Sequence, residues 1–401
     1  MHPLAFASLF LSLWLSPTVG LRDGPWIETY PGGISFGGRL NFSACIHTSE
    51  SISTSRLILE YGSSRYVFSP RQTESPDGYS LTAEEATVSQ TPFPFSSGKY
   101  WWEADFPSGE ILASPVQTFF YSDSRFSWNR SEINKIILYS IGLAPDATGD
   151  IADLTLLSLG TVSAEWETPI PDSITLAVYP NQADFQSALG SRVRGWEGAV
   201  SSPEERVIIV AAAPGAEGRK TLAVLIPHEV THVLLGAKWG AAYSSLPLWL
   251  AEGLASGYEM EPRPKAEQAL MEAADAGTLI SIRALCGVFP SMEGPALLAY
   301  AESKSFVTYL KGTYGLPAMR NAAAAYASGA DCGRGIEDAI GKPLEDLESD
   351  WRVTLTGKSS WIPLPWAFVL AGAGLLGGLW ILHYGVGRRR RVVVAEKGRE
   401  E

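Results

Sequence analysis

Between residue 21 and about residue 127 the chain reads as strands broken by Gly, Pro and Ser. Leu40, Phe42, Ala44 and Ile46 interleave with Asn41, Ser43, Cys45 and His47, the pattern of a strand with one buried face. Residues 56–61, 66–69, 99–106 and 116–121 are further candidate strands, with turn residues between them. Short strands at roughly ten-residue spacing predict a small β-sandwich of immunoglobulin or fibronectin type over residues 21–127. The Cys…Trp…Cys framework of antibody domains is absent, so pattern alone carries this expectation.

After Trp128 the period changes. Residues 131–143 and 151–159 carry apolar side chains at helical spacing, 173–179 and 206–211 read as strands, and 184–189 as a short helix. From Thr221 to about Leu355 the chain is mostly helical. Strands first and helices after predict an α+β domain over residues 128–357.

The two ends set an expected topology. Residues 4–15 are nearly all apolar and precede small residues at Thr18 and Gly20, which reads as a secretory signal over residues 1–20. Residues 362–384 contain no Asp, Glu, Lys or Arg and are long enough to span a bilayer. Trp361, Trp366, Trp380 and Tyr384 stand toward the edges of that stretch, and Arg388–Arg391 follow it. The expectation is one transmembrane helix over 361–384 and a basic cytoplasmic tail over 385–401, with the preceding domains outside. Gly372, Gly374, Gly377 and Gly378 would allow two such helices to pair.

Composition narrows the function. With 46% hydrophobic and 18% charged residues the chain has material for real cores. The net charge of −12 argues against nucleic acid as a partner. Three cysteines exclude a zinc site of four thiolates; Cys286 and Cys332 could pair outside the cytoplasm, with Cys45 left over.

The histidines carry the chemistry. Residues 228–232 read His-Glu-Val-Thr-His. On a helix, positions i and i+4 share a face, so His228 and His232 can reach one ion, with Glu229 beside it as a base for water. Pro227 directly precedes the pair, so the helix either begins there or is kinked there.

A catalytic zinc needs a third protein ligand and an open position. The metzincin layout would require Gly at 235 and His at 238, but the chain has Leu235 and Lys238. The alternative takes a Glu from the next helix, about twenty residues on. Glu252 fits, within Leu248-Trp-Leu-Ala-Glu252-Gly-Leu-Ala255, and Glu259 is its rival. Glu252 is an acid among apolar neighbours, which is costly without a positive partner. An Asp four residues after the ligand orients a histidine in known members of the Glu-ligand class; here that position is Ser256.

With Ala299-Tyr300-Ala301-Glu302-Ser303, Phe306, Tyr309, Tyr314-Gly315 and Leu347-Glu348-x-x-Trp351, these motifs resemble the peptidase MA-like family over about residues 129–355. These are gluzincin-type zinc metallopeptidase domains, often in exported or membrane-anchored bacterial proteins. The resemblance implies one zinc per chain, with His228, His232 and Glu252 as metal ligands and Glu229 as the catalytic base. Tyr300 is the candidate for stabilising an oxyanion.

The resulting expectation is a cell-membrane, single-pass zinc metallopeptidase that hydrolyses polypeptide substrates outside the cytoplasm. Its rival is a surface binding or adhesion protein whose zinc site is structural or degenerate, a reading favoured by the β-sandwich and by Ser256.

Overall fold

The computed structural model describes residues 24–84, 87, 88 and 90–356. The predicted signal, transmembrane segment and basic tail lie outside these residues. Among the described residues, no helix is long and apolar enough to cross a membrane. The chain divides into two units, one holding the described residues up to Ser245 with Leu254–Pro262, the other Leu246–Gly253 with the described residues from Arg263 on.

The first unit opens with β1 (Trp26–Thr29), β2 (Gly33–Ile34), β3 (Leu40–Asn41), β4 (Ser43–His47), β5 (Thr54–Tyr61), β6 (Ser64–Phe68), β7 (Arg71–Ser75) and β8 (Gly78–Thr82). It continues through β9 (Ser96–Asp105), β10 (Ile111–Ala113) and β11 (Gln117–Tyr121). An antiparallel sheet in the order β1-β4-β8-β7 and another in the order β10-β9-β5-β6, with β11 also on β9, share one apolar core. Leu40, Phe42, Ala44 and Ile46 all point into that core, as their alternation requires.

A second sheet system follows. β12 (Asn129–Ile133) and β13 (Ile136–Ser140) form a hairpin where the sequence suggested a helix. Two features overrode the apparent helical period. Asn134 takes the left-handed conformation, φ 54°, that a two-residue hairpin turn needs. In addition, Ile136, Leu138 and Ser140 are buried while Ile137 and Tyr139 are less so, a period of two.

The next elements are α1 (Pro145–Trp166), β14 (Ile174–Tyr179), α2 (Gln182–Leu189), β15 (Ala199–Ser202), β16 (Val207–Ala211) and α3 (Ala216–Trp239). The five-stranded sheet has the order β12-β13-β14-β16-β15, with β13, β14 and β16 parallel and β15 an antiparallel edge. Strand β16 is buried at all five positions, as a central strand covered on both faces must be. Helices α1 and α3 pack against each other.

The second unit is helical: α5 (Pro264–Ala276), α6 (Glu293–Ala327), α7 (Arg334–Ile340) and α8 (Leu344–Leu355), preceded in the chain by α4 (Leu248–Gly257). Helix α6 breaks at Gly315, whose φ of 83° is non-helical, just before Pro317. Trp249 and Trp351 both meet Phe306 edge-on in its core. A disulfide joins Cys286 and Cys332. Gly253 lies so close to α6 that a Cβ there would stand 2.4 Å from the Ser303 carbonyl oxygen.

Candidate metal centre

Helix α3 runs unbroken from Ala216 through Pro227 to Trp239, so Pro227 neither starts nor ends it. Proline has no N–H to give to the carbonyl four residues back. That carbonyl, on Ala223, accepts instead from the main-chain N–H of Met260 at 3.0 Å. The group that proline orphans is therefore satisfied by the segment that follows α4.

One residue before Met260 is Glu259. Its carboxylate Oε1 lies 3.4 Å from His228 Nδ1, and its side chain is 1% exposed. The segment is tied down a second time, since Tyr258 Oη donates to Glu165 Oε2 at 2.6 Å and accepts from Trp166 Nε1 at 2.9 Å. Glu259 thus stands beside the outer nitrogen of His228, while Ser256, the position of an orienting Asp in the Glu-ligand class, is buried. Spacing from the histidines alone could not separate Glu252 from Glu259; the distinction lies in how the chain leaves α4.

His232 is oriented by a hydrogen bond, its Nδ1 2.6 Å from Tyr243 Oη. Sequence reasoning missed Tyr243 because it falls in the short turn after α3, outside any motif. The two Nε2 atoms lie 3.1 Å apart. Two zinc–nitrogen bonds of about 2.0–2.1 Å at a tetrahedral angle put their nitrogens about 3.3 Å apart. The spacing of the two imidazole nitrogens is therefore compatible with a shared cation.

Glu252 sits on α4, a single continuous helix whose last residues, Leu254–Gly257, fall in the first unit. His228, His232 and Glu252 are the candidate donors for a metal ion among the described residues. Two imidazoles and one carboxylate are the donor set of a zinc site with a free position.

Glu229 is buried on α3, and its Oε2 accepts from Ser201 Oγ at 2.6 Å. Ser201 belongs to the edge strand β15. Tyr300 lies half-buried on α6, its ring edge-on to Phe289 at 5.1 Å between centroids.

An HExxH helix packed beside the edge strand β15 and followed by a helix that carries a glutamate fits the layout of a gluzincin-type zinc-dependent peptidase. Residues 159–357 match the family model described as Peptidase MA superfamily. No curated protein sequence matches the chain. Among solved structures it is similar to an aminopeptidase N family protein from Idiomarina loihiensis, at 11% identity over 82% of this chain and 76% of that one, with a TM-score of 0.39. It is also similar to an M1 zinc metallopeptidase from Deinococcus radiodurans, at 13% identity over 82% of this chain and 92% of that one, with a TM-score of 0.33. A mutant of that enzyme bound to a Tyr-Ser-Ala substrate matches with the same values.

Proposed function

We propose that the protein is a membrane-anchored zinc metallopeptidase that hydrolyses peptide bonds outside the cytoplasm. The observation that carries this reading is the convergence of His228 and His232 Nε2, with Tyr243 Oη against His232 Nδ1 and Glu259 Oε1 3.4 Å from His228 Nδ1, next to the buried Glu229 on the same helix. Structural zinc sites are closed by four protein donors, and three donors with a neighbouring acid are the catalytic arrangement.

His228 and His232 would hold the metal through their imidazoles, and Glu252 through its carboxylate. Zinc, when bound, supplies positive charge that polarises the scissile carbonyl. Glu229 accepts the proton of the attacking water and passes it to the departing amine, so one carboxylate serves as base and then acid. Tyr300 donates its hydroxyl proton in a hydrogen bond to the oxyanion.

The edge strand suits a polypeptide. Gly198 O accepts from Ala211 N, which puts residue 198 in a bonded pair with β16; by alternation, Ala199 and Ser201 turn their main-chain groups to the open side. An extended peptide can add there as a sixth strand.

Residues 21–127 would form a separate outer domain, residues 128–357 the peptidase, and residues 361–384 the anchor. The apolar run and Arg388–Arg391 support that anchor and its orientation. The test is elemental analysis and peptide hydrolysis on the full-length protein in detergent. One zinc per chain is expected, with Glu229→Gln keeping zinc and losing hydrolysis. A folded parent without zinc, or a Glu229→Gln variant that still cleaves, overturns the reading.

A further inference from the structure

Glu229 is not held by its own helix. The hydrogen bond that fixes it comes from Ser201 on β15, donated at 2.6 Å to Oε2. The side-chain direction follows from the strand. Val200 packs into the apolar cluster of Phe95, Tyr179, Phe185 and Ile209 on one face of the sheet. Ser201, its neighbour, must point to the opposite face, where α3 packs against β15.

The placement gives Ser201 two roles at one position. Its main-chain N–H and C=O face the open edge, while its hydroxyl reaches the acid. We propose that Ser201 is a positioning residue for Glu229, linking the docking of a peptide strand on β15 to the orientation of the carboxylate; this rests on the metallopeptidase reading above.

A glutamate side chain has several rotatable bonds and loses appreciable entropy when ordered. A buried carboxylate also needs a donor. The Ser201 hydroxyl meets both demands at Oε2, which leaves Oε1 as the oxygen that takes the proton. A peptide paired with Ala199 and Ser201 immobilises the same main chain that carries the hydroxyl, so the base is steadied when substrate is present. Pro203, at the end of β15, helps keep the strand in place: a Cβ added at Gly236 of α3 would stand 2.3 Å from the Pro203 Cβ, so helix and turn are in close contact.

The experiment compares Ser201→Ala and Ser201→Thr with the parent as full-length, zinc-loaded protein. It reads zinc per chain, kcat and KM on internally quenched peptides of mixed sequence, and crystal structures of metal-free parent and Ser201→Ala. Expected for Ser201→Ala are unchanged zinc, KM within about twofold, and a kcat lower by about 10- to 100-fold. Ser201→Thr keeps the hydroxyl and should recover most of the rate. In the Ser201→Ala crystal, Glu229 should leave its parental position or occupy several rotamers. Undiminished kcat in Ser201→Ala, or a Glu229 carboxylate that stays in place, overturns the proposal. Should the parent cleave no peptide, the peptidase reading fails and the position of Glu229 in the two crystals decides the role of Ser201 by itself.

Discussion

Glu259 Oε1 stands 3.4 Å from His228 Nδ1, and the next residue in the chain closes onto the carbonyl that Pro227 leaves free. The acid beside His228 and the internal proline are therefore parts of one arrangement. The proline removes a helix hydrogen bond at Ala223, Met260 N–H replaces it, and Glu259 is delivered to the outer nitrogen of the histidine.

Glu252 and Glu259 should differ in kind when substituted. Glu252→Ala removes a donor atom from the cluster, so stoichiometric zinc binding should be lost. Glu259→Gln leaves all three donors and weakens only the orientation and basicity of His228, so zinc should still bind with affinity lower by about 10- to 100-fold. Competition with a chelator of known affinity measures both. Equal loss in the two variants would make Glu259 a ligand and not an orienting group.

Pro227→Ala carries opposite signs for stability and for metal. A helical alanine restores an N–H aimed at Ala223 O, in competition with Met260. The interior of α3 gains up to about 3 kcal/mol of local helix preference, while the segment bearing Glu259 loses its anchor. Thermal stability should hold or rise, zinc affinity should fall, and the Met260 amide should exchange faster with deuterium. A variant with undisturbed Met260 protection and zinc affinity would show that the proline has no part in placing Glu259.

Legibility of the chain varied with the range of the forces involved. The histidine pair, Glu229 and the alternation of Leu40 to Ile46 are local patterns, fixed by helical or strand repeat, and they could be read directly. The β12–β13 hairpin was misread because Ile133, Ile136, Ile137 and Leu138 satisfy a helical period as well as a strand period; the deciding feature is the left-handed Asn134. Tyr243 and Ser201 left no signal at all, since each reaches the site from an element whose position depends on the whole sheet and helix packing. The role of Glu259 needed the return of the chain onto Ala223, a contact between residues 37 positions apart.

The Cys286–Cys332 disulfide closes a sequence separation of 46 residues. Constraining the unfolded chain over a loop of this size is worth about 4 kcal/mol in the chain-entropy model. The backbone beside Cys286 also serves α4, because Leu248 N–H at its start donates to the Cys286 carbonyl at 2.8 Å. A Cys286→Ser, Cys332→Ser double variant should unfold at lower urea concentration than the parent, and a reducing agent should move the parent to the same midpoint. Identical midpoints for the parent with and without reductant would remove the disulfide from the stability of this unit.

Glu302 gives the folded protein a pH dependence whose sign can be worked out. It is fully buried on α6, and its Oε1 accepts from Ile280 N–H at 2.9 Å. Burial lifts its pKa from 4.5 to about 7, aided by nearby Glu348 and opposed by the Ile280 N–H and Arg352. Arg352 is itself engaged with Glu348 Oε1 at 2.6 Å, which limits how far it offsets the burial. Between pH 4.5 and 7 the folded chain keeps a proton that the unfolded chain has released. Stability is therefore fullest below about pH 4.5 as far as this group is concerned, falls by about 1 kcal/mol per pH unit through the interval, and levels off above pH 7. Glu302→Gln keeps an acceptor for Ile280 and cannot ionise. Urea midpoints recorded from pH 4.5 to 8 should decline for the parent and run flatter for the variant, with the two curves separating most above pH 7. Parallel curves would mean that Glu302 titrates at its ordinary value.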